Sequence, residues 1–191
     1  MKLGIFGGAF NPPHAGHLIV AESVREKLQL DKIIFVPTGN PPHKLNEKLL
    51  DGKLRLQMAQ LAIKGNKFFD VSDVEFLRND FSYTVETLKL FQQMYPTAEL
   101  FLLIGADNFL ELHTWKSTKE IFSLVKVIVM NRGGVAIKEN EFSSFVKFVN
   151  VPNIEISSSE IRKRIQMEKS IRYLVTKEVE KFVSKNNLYR S

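Results

Sequence analysis

The sequence predicts an α/β fold, a doubly wound parallel sheet with helices on both faces, and three observations carry that expectation. Short apolar runs of strand length alternate with longer stretches whose apolar residues recur every three or four positions. Two of the runs, Leu100–Ile104 and Val125–Met130, are apolar but for Lys126 near the start of the second, as strands covered on both faces are. A pair of glycines, Gly7 and Gly8, follows the first run and leads into the first helical stretch. The chain has 191 residues, 44% of them hydrophobic and 25% charged, which suits a single domain with a sizeable core.

Each element has its own justification. Leu3–Phe6 is the first strand, and Leu18, Ala21, Val24 and Leu28 mark one face of the first helix. Lys32–Val36 is a second buried strand, followed by a loop rich in proline and glycine from Pro37 to His43. Leu54, Met58, Leu61 and Ala62 mark the next helix, which stops near Gly65, and Phe69–Phe76 reads as a strand. Val85, Leu88, Phe91 and Met94 predict a helix ended by Pro96. After these two apolar strands, two helices are expected from about Ser157, one around Ile161 and Ile165, the other around Val175, Val179, Phe182 and Val183. Right-handed crossovers would join the parallel strands into one Rossmann-like domain over residues 1–191, with a small helical part at about 157–191. Ligands of such sheets bind at the carboxyl ends of the strands, near the point where strand order switches.

Composition excludes several classes of function. Without cysteine there is no disulfide, no thiolate metal site and no cysteine nucleophile, which is compatible with a reducing cytoplasm. The apolar run at the start is too short for a signal peptide, and no run approaches the ~20 residues of a membrane span. Net charge is +6, but the Lys and Arg are scattered and form no contiguous stripe with interleaved aromatics. A site for polyanionic small molecules fits that pattern better than nucleic acid does. The expectation is a cytoplasmic protein with neither membrane nor nucleic-acid partner, and a homo-oligomer is compatible with it.

The chemistry concentrates in two stretches. Gly-Gly-Ala-Phe-Asn-Pro-Pro-His-Ala-Gly-His, Gly7 to His17, joins a strand to a helix N-terminus, where main-chain N–H groups and the helix dipole suit a phosphate. His14 and His17 are three apart and share a helix face. Neither a P-loop nor a G-x-G-x-x-G element is present. Zinc ligation by the histidines is a weaker reading, because metalloprotease histidines are four apart with a glutamate between them. In the second stretch, Ile156-Ser157-Ser158-Ser159-Glu160-Ile161-Arg162, Ser157 and Glu160 have capping-box spacing. Arg162 opposes the dipole of that helix start, and a bound anion would remove the conflict.

Weaker elements lie between them. Asn40-Pro41-Pro42-His43-Lys44 is a stiff loop in which Lys44 offers a cation. Ser82-Tyr83-Thr84 precedes a helix and reads first as an N-cap. Gly105-Ala106-Asp107 follows a buried strand and offers either a helix cap or a carboxylate for ribose hydroxyls. Trp115, the only tryptophan, is either a core residue or a stacking platform.

The H-x-G-H element resembles the nucleotidylyltransferase superfamily, whose members transfer AMP or CMP from a nucleoside triphosphate. With I-S-S-x-x-I-R, the Pro-Pro-His-Lys loop, Ser-Tyr-Thr, Gly-Ala-Asp, Trp115 and the Asn131-Arg132-Gly133 turn, the chain from Lys2 to Leu188 is similar to the bacterial nicotinate-nucleotide adenylyltransferases. The resemblance implies adenylyl transfer from ATP to nicotinate mononucleotide, with Mg2+ carried in by ATP and no protein metal ligands. It implies that His14, His17 and Arg162 act on the phosphates. Gly7, Gly8, Ala9, Phe10, Gly105, Asp107, Arg132, Ile156, Ser157 and Ser158 would bind ATP. Lys44, Ser82, Tyr83, Thr84, Asp107 and Trp115 would bind the acceptor nucleotide. Three positions depart from the family pattern: Ala9 stands for Thr or Ser, Asp80 for Gly and Thr176 for Pro. The rival readings are an adenylyltransferase for nicotinamide mononucleotide or phosphopantetheine, a nucleotide-binding protein without turnover, and an RNA-binding protein.

Overall fold

A computed structural model describes residues 1–40, 49–77, 81–132 and 139–190, with Asn131 and Arg132 described in their backbone alone. Six strands, β1 (Lys2–Gly8), β2 (Lys32–Pro37), β3 (Phe69–Val71), β4 (Glu99–Gly105), β5 (Lys126–Arg132) and β6 (Val146–Val151), form one sheet in the order β3-β2-β1-β4-β5-β6. Every pairing is parallel, so each connection must cross over the sheet. β1 lies between β2 and β4, and the order of strands switches there. Helices α1 (Ala15–Leu28), α2 (Gly52–Ala62), α3 (Thr84–Met94), α4 (Ala106–Leu110), α5 (Thr118–Leu124), α6 (Ser158–Gln166) and α7 (Lys177–Lys185) cover the sheet and its upper end.

Three apolar clusters hold the layers. On one face, Leu3, Ile5, Ile34, Leu102 and Ile104 meet Val85, Leu88 and Phe91 of α3. Those three α3 side chains are fully buried, each worth about 1.5–3 kcal/mol relative to exposure. On the other face, Phe6, Ile33, Phe35, Leu103 and Ile128 meet Val20, Ala21 and Val24 of α1. The third cluster joins Met58 and Ala62 of α2 to Ile161, Val175, Val179 and Val183, and so fastens the C-terminal helices to the body of the domain. Thr176, where a proline was the family's habit, accepts a hydrogen bond from Val179 N–H at 3.4 Å and caps α7.

The structure departs from the expected elements in four places. The strand expected over Phe69–Phe76 ends at Val71, and Val74–Leu77 form a turn that buries Val74 and Glu75. β6 and α5 had no clear periodic signal. β6 is an edge strand in which Lys147, Phe148 and Asn150 are exposed while Val149 and Val151 are buried. On α1 the buried stripe is Val20, Ala21 and Val24, while Leu18 is half-buried and reaches towards the C-terminal helices. On α2 the stripe is rotated by one residue: Arg55, Met58, Ala59 and Ala62 are buried, whereas Leu54 and Leu61 are not.

Candidate active site

The first wall of the site is the connection from β1 to α1. β1 ends at Gly8, and Ala9–His14 lead to the helix. Phe10 adopts a left-handed φ of 47°, and the Asn11–Pro12 peptide is cis. The buried Phe10 ring packs edge-on against Phe6 at 5.8 Å and His17 at 5.1 Å. A Cβ on Gly8 would lie 3.2 Å from that ring, which explains the glycine. His14 is the N-cap of α1, and its main-chain N–H donates to Nδ1 of His17 at 3.1 Å. A neutral His17 therefore carries its ring proton on Nε2. The two imidazoles stack at 3.6 Å. A Cβ on Gly16 would fall 3.0 Å from the His14 ring, so the glycine between the histidines lets His14 lie across the first turn.

The N-terminus of α6 closes over this turn. Ser157 caps the helix by accepting from Glu160 N–H at 3.1 Å. The Ser158 hydroxyl donates to Pro12 O at 2.8 Å, so its own proton is committed to the turn. Arg162 is half-buried and donates from Nη1 to Asn11 O at 2.9 Å. That main-chain oxygen, together with whatever anion binds, offsets the unfavourable end of the helix dipole. Tyr189 donates its hydroxyl to the side-chain oxygen of Asn11 at 2.8 Å, and burial pushes the phenol pKa up.

The opposite wall comes from α3 and α4. The N-cap of α3 is Tyr83, with no side-chain cap, so Ser82 does not play the expected capping role. Ser82 instead pairs with Asn40, donating its N–H to Asn40 O at 2.9 Å and accepting Asn40 N–H on Oγ at 3.1 Å. The buried Glu75 carboxylate accepts from Gly39 N–H at 3.0 Å and from the Thr87 hydroxyl at 2.9 Å, which ties the end of β2 to α3. Asp107 sits exposed in the first turn of α4 and makes no cap; Gly105 is the N-cap. Trp115 is half-buried against the α3-side core, and the Thr118 hydroxyl donates to its main-chain oxygen at 3.0 Å. Lys116 extends over the Tyr83 ring at 4.4 Å.

Between the walls lies a cleft of about 730 Å³ at the carboxyl ends of β1 and β4, the size range of nucleotide pockets. Gly7, Gly8, Ala9, Phe10, His14 and His17 line one side of it, with Ile156, Ser157, Ser158 and Arg162 above. Ser82, Tyr83, Thr84, Gly105, Asp107 and Trp115 line the other. Lys44 and the side chain of Arg132 lie outside the described residues. Among the described residues no group of three or more His, Cys, Asp or Glu is placed to hold a metal ion. The donors around His14, His17 and Arg162 are imidazole, guanidinium and main-chain N–H, a set suited to phosphate oxygens. Sequence reasoning missed Arg55, Glu75, Thr87 and Tyr189. A signal for Arg55 existed in the 55, 58, 59, 62 spacing, hidden because an arginine at that position reads as solvated.

Similarity to known proteins runs the length of the chain. A family model described as cytidylyltransferase-like matches residues 5–164. The chain is 40% identical to a Desulfitobacterium hafniense (strain Y51) protein named probable nicotinate-nucleotide adenylyltransferase, over 99% of this chain and 96% of that relative. A Thermoanaerobacter sp. (strain X514) protein of the same name is 40% identical, with 100% of this chain and 95% of the relative covered. A crystal structure bearing that family's name, from Vibrio parahaemolyticus, superposes with a TM-score of 0.72 at 26% identity, over 100% of this chain and 97% of that one. The Plasmodium falciparum nicotinic acid mononucleotide adenylyltransferase complexed with NaAD gives a TM-score of 0.79 at 20% identity, over 98% and 97%, a likeness of fold.

Proposed function

Because this chain belongs to the nicotinate-nucleotide adenylyltransferase family, we propose that its cleft joins the adenylyl group of ATP to nicotinate mononucleotide, releasing pyrophosphate and giving nicotinate adenine dinucleotide. One observation carries the reading at the level of geometry: the turn after β1 and the N-terminus of α6 face the starts of α3 and α4 across a single cleft. A phosphate-binding wall and an aromatic, N–H-rich wall are what two nucleotides meeting end to end require.

The acceptor's 5′-phosphate is already an anionic nucleophile, so the reaction needs no general base. One of its oxygens attacks the α-phosphorus in line, the bond from that phosphorus to the bridging oxygen breaks, and the electron pair leaves on pyrophosphate. Catalysis then consists of positioning and charge stabilisation. His17, whose neutral ring carries its proton on Nε2, serves the α-phosphate. His14 and Arg162 serve the β and γ phosphates, and the amides of Gly8–Phe10 face the bridge that forms. Asp107 accepts from ribose hydroxyls, and Trp115 supports the pyridine ring beside the start of α3. Lys44 and Arg132 complete the proposed contacts. ATP enters as its magnesium complex, in which the metal offsets charge on the phosphate tail.

The test is pyrophosphate release with a panel of acceptors, the dinucleotide product being identified by mass. The acid acceptor should exceed nicotinamide mononucleotide at least ~10-fold in kcat/KM, because an amide turns an NH2 towards donors at the start of α3 and leaves one unpaired. Equal efficiencies or a preference for the amide would remove the acceptor assignment. No pyrophosphate with any acceptor would remove adenylyl transfer.

A further inference from the structure

Arg55 lies in the first turns of α2 and is 2% exposed. Its guanidinium donates to three main-chain oxygens: Nε to Leu50 at 2.9 Å, Nη1 to Ala9 at 3.0 Å and Nη2 to Gly39 at 3.4 Å. The Phe76 ring stands 5.6 Å from its central carbon. Among the described residues no carboxylate comes within ion-pair distance of it. Burying a cation this deep is costly, and burial pulls its pKa down from the ordinary arginine value.

The Ala9 contact has a geometric consequence. The Ala9 carbonyl and the Phe10 N–H belong to one planar trans peptide, so they point in opposite directions. Holding the oxygen on the α2 side turns the N–H the other way, and both residues line the cleft. Among the described residues that N–H has no main-chain acceptor. A charged donor on the carbonyl also polarises the amide and strengthens its N–H as a donor. The left-handed φ of Phe10 is held between this bond and the packed ring.

We propose that Arg55 is a positioning residue for nucleotidyl transfer: its Nη1 bond to Ala9 aims and polarises the Phe10 N–H so that this amide meets the phosphoryl oxygen as charge builds there. The proposal rests on the reading that the turn after β1 faces the phosphates. Arg55→Lys keeps a cation but cannot hold Ala9, Gly39 and Leu50 together, and Arg55→Met keeps the length alone.

The experiment compares wild type, Arg55→Lys and Arg55→Met as full-length proteins, with kcat and KM for both substrates. Amide NMR of Phe10 with and without a non-hydrolysable ATP analogue supplies the second readout. The expected result is kcat lower by about 10-fold to 10²-fold in both variants, with KM values within about threefold, since a transition-state donor is lost rather than a binding contact. The wild-type Phe10 proton should move downfield on adding the analogue and should move less in Arg55→Lys. Variants that lose thermal stability while kcat stays within threefold would assign Arg55 to packing alone and overturn the proposal. A wild-type Phe10 resonance that does not respond to the analogue overturns it as well, whether or not the variants fold. Wild type that releases no pyrophosphate with any acceptor would instead overturn the functional reading itself.

Discussion

Arg162 donates from Nη1 to the main-chain oxygen of Asn11 at 2.9 Å, a bond that spans 151 positions of sequence. The same Asn11 receives the Tyr189 hydroxyl on its side chain, and Ser158 holds the next carbonyl, that of Pro12. The turn after β1 is therefore shaped as much by the C-terminal helices as by its own residues. Arg55 grips it from the α2 side through Ala9. Two arginines thus hold the carbonyls of residues 9 and 11; the Asn11–Pro12 peptide carries no N–H, so the amide that this grip can aim is the Phe10 N–H.

Arg162→Ala should weaken ATP more than the acceptor. A charge-assisted contact to a phosphate tail is worth about 1.5–3 kcal/mol, or roughly 10-fold to 150-fold in affinity. Calorimetric titration with a non-hydrolysable ATP analogue and, separately, with nicotinate mononucleotide checks it. An unchanged affinity for the analogue would reduce Arg162 to a holder of Asn11.

His17→Ala should lower turnover by ~10²–10³, the usual effect of deleting one transition-state donor. The substitution also removes the acceptor of the His14 N–H, so a loss of about 1 kcal/mol and a small fall in melting temperature accompany it. Turnover within threefold of wild type would show that His17 is only part of the helix cap.

Trp115→Ala should raise the acceptor KM with little effect on the KM for ATP. Stacking of a base on an aromatic side chain is worth about 1–3 kcal/mol by alanine substitution, so an increase of roughly 5-fold to 150-fold is expected. Trp115→Phe keeps much of the core contact and an aromatic face, and should fall between the two. Equal rises in both KM values would indicate general loosening of the fold.

Glu22 supplies a test in pH. Its carboxylate receives two bonds from Arg25, at 2.9 and 2.7 Å, and one from Asn66 at 3.3 Å. The Arg25 hydrogen bonds hold the carboxyl below its ordinary value. A depressed carboxyl pKa means stabilisation that is complete above the unfolded-state value and is lost as pH falls through the folded one. Because the Glu22 side chain remains 35% exposed, solvent screens the pair; Glu22→Gln should cost only about 0.5 kcal/mol at neutral pH, and the difference from wild type should vanish in acid. Urea unfolding at neutral pH and below pH 4 measures it; a difference that grows in acid would reverse the assigned sign.

Contiguous features were legible in the amino-acid order alone. The glycine pair, the histidines three apart and the Ser157–Arg162 run each lie within one turn or helix start, and strand burial shows as predominantly apolar runs. Those signals are local, because helix caps, tight turns and a strand covered on both faces each need only a few neighbouring residues. What the tertiary structure decided depends on residues distant in sequence. Arg55 reads as a solvated helix residue until α2 packs with its 55–58–59–62 face inward. Ser82 reads as a cap until Asn40 is brought beside it, and Glu75 reads as part of a strand until Gly39 and Thr87 supply its donors. β6 mixes exposed Lys147 and Asn150 with buried valines and gains its identity from pairing with β5. A buried polar group is stable only where partners meet it, and those partners come together through the crossovers of the parallel sheet.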